Sequence, residues 1–541
     1  MSLESAVGLP VDLPPLGERN AVAALRGGAA RHPDKLAVRD PERSLSYAAL
    51  YREAMALGGG FDRLGVGRQE PVLLMLDNHL DYVSCWLALS LTARVEVPVN
   101  TAYRGSILAH VVNNCGARVL VIDAPYLERI AAIADQLGQL ECVIVRGDAG
   151  SPALPAHVRA IPFAELRQGP AAGPAEVAPS DLIGIMYTSG TTGLSKGVRV
   201  THAHAYGYAA PGLFGAARST DTTLVLLPLF HVGGQWQGVY NALIAGATAV
   251  VLPRFSASSF WDEVRRYGCT WTMLLGAMAN ILYRQPPAPD DGDHPLKRIL
   301  MIPVMPEVEA FRTRFGMEAV GTGFGSTEGS TIMRAPPGLA VPDAVGWLRP
   351  DFEARLVDES DIEVPDGRTG ELVIRAREPW CLMDGYHGMP EATVAAWRNL
   401  WFHTGDVMRQ LPSGQYQFVD RAKDAMRRRG ENVSSFEVER EILAHPRVLE
   451  CAVIAVPSEL SEDDIKACVV CKPGMTVEPA ELLDFLLPRM PDFMVPRYVE
   501  LLDALPKTPT EKIRKQELRA SGVTPATWDR EAAGFTLRRR A

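Results

Sequence analysis

The sequence predicts an α/β protein of at least two domains, and three observations predict it. Its 541 residues exceed the roughly 250–300 at which a single core stops growing. Over the first half of the chain, helical stretches alternate with short runs of Val, Ile and Leu, the pattern of covered, largely parallel strands. Past residue 340 the texture shifts to shorter strands between Gly and Pro turns, and from about 424 to a terminal mixture of helices and strands. The expected architecture is a large multi-subdomain domain with layered sheets and a β-rich subdomain over 1–419, then a small α+β domain over 425–525 and a tail over 526–541.

In the first cycle, residues 47–65 and 81–92 read as helices and residues 70–76 and 94–100 as strands. A second cycle follows, with helices expected over 104–116 and 126–140 and strands over 117–123 and 141–147. The Pro, Ala and Gly stretch 169–181 predicts a surface connection. Alternation resumes in 221–229, 238–253 and 259–275, and the β-rich subdomain shows in 352–358 and 367–376. In the terminal domain Ser434 and Glu437 have capping-box spacing, and Pro446 stops the helix just after His445.

The composition is 47% hydrophobic and 22% charged, and the net charge of -9 excludes a broadly cationic nucleic-acid surface. No run reaches the roughly 18–20 apolar residues of a membrane span, and the N-terminus lacks the basic and apolar regions of a secretory signal, so a cytoplasmic protein is expected. Eight cysteines spread over this length form no small-domain disulfide framework. The CxxC at Cys468 and Cys471 sits in a valine-rich strand pattern, where side chains three apart point to opposite faces.

The segment 187–202, YTSGTTGLSKGVRVTH, crowds glycines and hydroxyls around Lys196 after an apolar lead-in. A Walker loop places glycine before the lysine, whereas Gly197 follows it here. The physical repertoire is similar nonetheless. Glycines let backbone N–H groups turn around oxygens, hydroxyls add donors, and the lysine adds charge.

This segment resembles the phosphate-binding signature of the adenylate-forming superfamily of acyl-CoA synthetases, peptide-synthetase adenylation domains and luciferases. Five further motifs match in order: LPLFHVGG at 227–234, GTGFGSTEG at 321–329, WFHTGD at 401–406, DRAKDAMRRRGENVSSFEVE at 420–439 and PKTPTEKIRK at 506–515. Within the superfamily the chain is most similar to the branch that includes crotonobetaine/carnitine CoA ligases. The resemblance implies an ATP-dependent ligase that makes an acyl-adenylate and pyrophosphate, then transfers the acyl group to the thiol of coenzyme A with release of AMP. It implies ATP, Mg²⁺ and coenzyme A as cofactors, and a carboxylic acid as substrate. Transfer to the phosphopantetheine of a carrier protein is the alternative, and a catalytically silent nucleotide- or acyl-binding protein is a second.

The resemblance also implies residue roles. Thr188, Ser189, Gly190, Thr191, Thr192, Gly193 and Lys196 would hold the phosphates and the departing pyrophosphate. Thr327 and Glu328 would contact the α-phosphate or the acid's carboxylate, with Glu328 as the magnesium ligand. Phe324 would face adenine, Asp406 would accept from the ribose hydroxyls, and Arg421 would join the ribose and phosphate contacts. Lys512 would be the catalytic cation, swung into place by the mobile terminal domain about a hinge at 420–424 centred on Lys423. Gly430 would line the pantetheine tunnel. His403 in the FHTGD motif reads as a loop or supporting histidine.

On the acyl side, His231 matches a residue near the pocket entrance, and Gln235, Trp236, Gly238 and Gly323 are candidate walls. The loop MIPVMP at 301–306 departs from the Gly-Gly-Ala-Pro-like stretch of many relatives. Its bulkier Ile302 and Val304 are expected to remodel the cavity. The branch resemblance also admits a quaternary-ammonium acid, although no aromatic cage can be assembled from the sequence.

Overall fold

A computed structural model describes residues 13–148, 154–188, 195–210, 217–336, 338–342, 344–421, 425–428, 431–458, 462–506, 513 and 515–537. They fall into two compact units. The first draws on the chain through Thr101, on Val112–Tyr187 and on Gly197–Asp420; the second draws on Ala102–Val111, Thr188–Lys196 and the residues from Arg421 onward.

The hairpin β1 (Leu36–Arg39) and β2 (Ser44–Ser46) precedes a run of seven strands: β3 (Pro71–Met75), β4 (Val95–Pro98), β5 (Val119–Asp123), β6 (Cys142–Arg146), β7 (Arg159–Pro162), β8 (Leu182–Thr188) and β9 (Lys196–Thr201). These seven form one sheet in the order β7-β6-β5-β3-β4-β8-β9. The pairs from β7 through β8 in that order run parallel, as buried apolar strands between helices require. A second group follows: β10 (Thr222–Val225), β11 (Thr248–Val251), β12 (Trp271–Leu275), β13 (Arg298–Ile302), β14 (Ala319–Ser326), β15 (Ser330–Ala335) and β16 (Trp347–Leu348). With the first hairpin they make a nine-stranded sheet ordered β16-β15-β14-β13-β12-β10-β11-β1-β2.

A large core joins both sheets through the helix Leu80–Leu91, every residue of which is buried. The helix is mostly apolar, and its one charge, Asp81, is paired with Arg43, Arg146 and Arg167, so the whole helix can be interior. Alternation along β13 divides the nine-stranded sheet cleanly: Leu300 enters this core, whereas Ile299 and Met301 enter a separate cluster with Phe311 and Phe315 on the opposite face.

The β-rich subdomain is a four-stranded sheet of β17 (Phe352–Val357), β18 (Thr369–Ala376), β19 (Phe402–Gln410) and β20 (Tyr416–Arg421). In the second unit, β21 (Ala425–Arg428) and β22 (Glu431–Ser434) form a small hairpin, and β23 (Val448–Pro457), β24 (Asp463–Cys471), β25 (Tyr498–Leu501) and β26 (Trp528–Asp529) form a sheet in that order. Its helix Ser435–Leu443 ends before Pro446, as read from the sequence. Cys468 packs into one cluster and Cys471 against another, so the CxxC pair does straddle the strand, and none of the eight cysteines forms a disulfide. Packed structure in this unit continues past residue 525, since Trp528 pairs with Val499 and Arg530 is buried. Among the described residues no helix is long and apolar enough to cross a membrane.

Two elements differ from expectation. The stretch 126–140 is a short helix, Leu127–Ala131, followed by a 3-10 turn at Ala134–Gln136. Leu127, Ile130, Ile133, Leu137 and Leu140 are still all buried, because a spacing of three or four serves 3-10 turns as well as a helix. The second is a π-helix over Gly233–Tyr240, which precedes the short helix Asn241–Ala245 and β11. A wider helical turn leaves no trace in apolar spacing over eight residues.

Candidate active site

The chain offers Thr327 and Glu328 at the tip of the β14–β15 hairpin. Gly325 pairs with Thr331 and Ser326 with Ser330, so Thr327, Glu328 and Gly329 form a three-residue loop. Glycine is demanded at 325, where a Cβ would lie 2.5 Å from the Ser330 carbonyl oxygen. Ser330 takes up the left-handed conformation that such loops need, with φ of 62°, and the Gly329 N–H donates to Ser326 Oγ at 2.8 Å. The tip is thereby fixed by backbone geometry, and Glu328 is presented from a tight turn.

A second segment reaches Glu328. Tyr386 donates its hydroxyl to Glu328 Oε1 at 3.4 Å, and the Met383 N–H donates to the Glu328 carbonyl at 3.0 Å. Burial, and then the charge of Glu328, push the Tyr386 phenol up, so it remains a donor. The same segment is tied to β9. Tyr386 bridges Val198, the His387 N–H donates to the Gly197 carbonyl at 2.7 Å, and the Arg199 N–H donates to the Gly385 carbonyl at 2.9 Å. The strand leaving the glycine and hydroxyl loop is therefore coupled through residues 384–387 to the Glu328 carboxylate. Gly197 has its own reason: a Cβ there would meet Ile185 at 2.8 Å and Tyr187 at 3.0 Å on β8.

The third component is the β18–β19 pair. Its register shifts between Glu371 and Val373, and the displaced Glu371 accepts from the Gly405 N–H at 3.1 Å and lies 3.0 Å from His403 Nδ1. Gly405 has φ of 74°, and Thr404 Oγ1 donates to the Leu372 carbonyl while accepting from the Asp406 N–H. This arrangement turns the strand at Asp406, whose side chain is buried. His403 is engaged with Glu371 and Arg398. Phe324 and Phe418 lie near one another with centroids 6.4 Å apart and planes 28° from parallel.

Residues 25–387 match the model of the AMP-binding enzyme family, and residues 437–512 match that of the AMP-binding enzyme C-terminal domain. The chain belongs to the adenylate-forming, AMP-binding enzyme family. It is 32% identical over 491 residues to a crotonobetaine/carnitine–CoA ligase of Salmonella paratyphi C, covering 88% of this chain and 93% of that one. Among solved structures it is similar to apo MatB of Rhodopseudomonas palustris at 27% identity, with a TM-score of 0.66 and coverage of 93% and 98%. It shares the fold of the o-succinylbenzoate CoA synthetase of Bacillus subtilis, with a TM-score of 0.78 at 22% identity and coverage of 92% and 98%. These relatives place the chain in the acyl-CoA synthetase branch of the family.

The residues expected on the acyl side separate into distinct positions. His231 is half-buried beside Phe230 and precedes the π-helix, to which its carbonyl contributes by accepting from the Gln235 N–H at 2.9 Å. Gly234, the second residue of that helix, sits where a Cβ would come within 2.4 Å of the Leu227 and Pro228 carbonyls. The loop before it is held by Asn78, which bonds the Leu227 carbonyl, the Leu252 carbonyl and the Leu229 N–H. Gln235 turns away to donate to Glu96 at 2.7 and 2.9 Å, and Trp236 is buried against the helix His202–Ala209. Gly238 packs on Val225, where a Cβ would sit 2.9 Å from Cγ1.

The MIPVMP loop splits across its sheet. Ile302 is half-buried on the large core, while Val304 and Met305 lie in the cluster on the opposite face. Pro303 is accommodated by Gly276, whose Cβ would meet its carbonyl at 2.7 Å. Gly323 is buried on β14.

Thr188 ends β8 and Lys196 begins β9, at the two borders of the glycine and hydroxyl loop. Arg421 closes β20. Ser189, Gly190, Thr191, Thr192, Gly193, Lys423, Gly430 and Lys512 lie outside the described residues. Sequence reasoning missed Tyr386, Glu371 and Asn78. Tyr386 lies in DGYHG, where two glycines with positive φ signal a shaped loop, but nothing in the local pattern names its carboxylate partner.

Proposed function

We infer that this chain joins a carboxylic acid to coenzyme A, using ATP and passing through an acyl-adenylate, with AMP and pyrophosphate as products. The observation that carries the reading is the Glu328 carboxylate on its fixed hairpin, tethered by Tyr386 to the strand that leaves the phosphate-type loop. Family membership supplies the reaction class, and the fixed hairpin that carries Glu328 supports the reading of its role.

A carboxylate is a poor acyl donor because it is anionic and lacks a leaving group. Its attack on the α-phosphorus brings like charges together, so catalysis consists of neutralisation and in-line positioning. Thr188 and Lys196, with the loop between them, would take the β- and γ-phosphates. Asp406, shaped by the Gly405 turn, would accept from two ribose hydroxyls, with Arg421 beside it, and Phe324 would face the adenine. Among the described residues no cluster of three or more His, Cys, Asp or Glu could hold a metal alone. A carboxylate on a fixed turn suits Mg²⁺, a hard cation commonly bound by one or two carboxylates together with substrate phosphates. Glu328 would hold that ion. Bound magnesium supplies neutralisation of the phosphate charge, while Thr327 orients the carboxylate and α-phosphate oxygens.

The second half-reaction needs thiol access where the first needs charge neutralisation, and one arrangement serves both poorly. The terminal domain supplies Lys512 for adenylation and then turns about Lys423 to present the Gly430 segment to the pantetheine. The test is Lys512→Ala, assayed in separate half-reactions. Acid-dependent pyrophosphate release should fall about 10²–10³-fold. Conversion of supplied acyl-adenylate to acyl-CoA should fall far less, and so should ATP affinity. Undiminished adenylation would remove Lys512 from this role.

A further inference from the structure

The acyl end of the site contains polar atoms that the protein itself does not satisfy. Among the described residues, neither amide atom of Gln237 and neither ring nitrogen of His204 has a hydrogen-bond partner, although Gln237 is 2% and His204 0% exposed. Burying a polar group without a partner is costly, so each such group needs a reason.

Their placement supplies one. On the π-helix successive side chains advance by roughly a quarter turn. Gln235 points to Glu96, Trp236 to the helix His202–Ala209, and Gly238 to Val225 of β10. Gln237, between Trp236 and Gly238, therefore faces the space between that helix and the sheet. The helix His202–Ala209 rests on β15, and the π-helix rests on β10, β11 and β12. The stretch of sheet between these footings is β14 and β13. There Met273, Leu300 and Gly321 lie in register, and Gly323 follows on the same face, so this part of β14 brings no side chain to it. Met273 and Ile302, at its margin, are only half-buried. His204, on the helix His202–Ala209, flanks Trp236, the residue next in sequence to Gln237, with ring centroids 6.2 Å apart.

Among the described residues, three charged groups border this space, and each is already engaged: Arg334, buried and paired in register with Gly323 on the same face, is not without a partner. Glu96 is occupied by Tyr82 and Gln235, and Arg349 by Asp351 and the Gly207 and Thr331 carbonyls. Burial lowers the His204 pKa to about 3, and the ring is neutral at ordinary pH. Beside the engaged Arg334 guanidinium, an apolar floor with an uncharged amide and an uncharged imidazole does not fit a distal ammonium, and the Gln237 amide, which both donates and accepts, suits a neutral group.

We propose that the acid activated by this enzyme carries an uncharged hydrogen-bonding group, a hydroxyl, oxo or carboxamide, which pairs with the Gln237 amide, with His204 as a second partner. Gln237 is thus a specificity-determining residue. The proposal rests on the ligase reading above and deepens it.

The test compares kcat/KM for acyl-CoA formation from hexanoate with its hydroxy, oxo and carboxamide analogues, and from benzoate with its meta- and para-hydroxy analogues. Wild type should prefer a polar analogue over its plain parent by at least about tenfold, the size of one buried unmet bond. Gln237→Met, which keeps chain length and removes both polar atoms, should erase or invert that ratio, leave KM for ATP unchanged, and match or exceed wild type in Tm without substrate. His204→Phe should weaken the same preference and is the second variant should the first fail to fold. Plain acids favoured by wild type, a trimethylammonium acid favoured equally by wild type and Gln237→Met, or an equal loss on all acids would overturn the proposal while leaving the ligase intact. Absence of pyrophosphate release with every acid would instead strike the ligase reading, and the proposal with it.

Discussion

The turn around Asp406, proposed to hold the ribose, and the π-helix, proposed to line the acyl pocket, are built on opposite principles. Around Asp406, the bulge residue Glu371, the Gly405 N–H and the Thr404 hydroxyl all find partners inside the protein. Around the π-helix, Gln237 and His204 do not. The first region is satisfied by its own chain, as would suit the proposed binding of a nucleotide common to every turnover. The second leaves hydrogen-bonding capacity open, and a ligand that fills it gains what the free protein forgoes. A region with internal partners should lose stability and activity together when cut, whereas one with open groups should exchange stability for selectivity.

The largest expected effect sits at the hairpin tip. Glu328→Gln should lower adenylation by about 10²–10³-fold, the scale of removing one preorganised charge-stabilising group, with the protein still folded by circular dichroism. Asp406→Asn keeps the shape and halves the acceptor capacity. It should weaken ATP binding by roughly tenfold or more, read by calorimetry. Glu371→Gln acts one step further back: the bulge loses its charged acceptor for Gly405, and both Tm and the ATP affinity should fall modestly, by a few degrees and a few-fold. Tyr386→Phe should cost least, a few-fold in kcat/KM, because it removes a single long bond to Glu328.

A pH measurement sharpens the same contrast. Glu96 is buried in β4 with Tyr82 and Gln235, and burial raises its pKa to about 8. The folded protein therefore keeps the carboxyl proton that the unfolded chain has already released, and stability should fall as pH rises from about 4.5 to about 8. His202 and His204 run the other way. Burial lowers both to about 3, so their contribution is present above the unfolded value near 6.5 and is lost as pH falls. Denaturant titrations of Glu96→Gln should flatten the alkaline decline and leave the acid side unchanged. An unaltered alkaline slope would show that Glu96 does not titrate in this window.

Much of this was legible in the sequence because it is written in short patterns. The helix expected over 47–65 is Tyr47–Arg63, capped by Ser46, and the strand expected over 70–76 is Pro71–Met75. Gly325, Gly405 and Gly197 were readable as glycines in motifs; their reasons, a 2.5 Å carbonyl approach, a positive φ and a neighbouring strand, needed three dimensions. Glu96 lay in an apolar run where its partners were more than a hundred residues away for Gln235 and on a separate helix for Tyr82. The π-helix was illegible for a related reason: Gln235, Trp236 and Gln237 each face a different neighbour, and no period-based reading separates them. His202 and His204 gave a faint signal, two imidazoles in an otherwise apolar helix, without saying which would be left unpaired.

Product analysis after a single turnover tests the central claim most directly. Enzyme, ATP, magnesium and an acid accepted in the panel are mixed without coenzyme A, quenched, and resolved by mass spectrometry; coenzyme A is then added to a parallel sample. Pyrophosphate with a stoichiometric acyl-adenylate, followed by acyl-CoA and AMP, is the expected result. ADP and inorganic phosphate in place of pyrophosphate and AMP would contradict it.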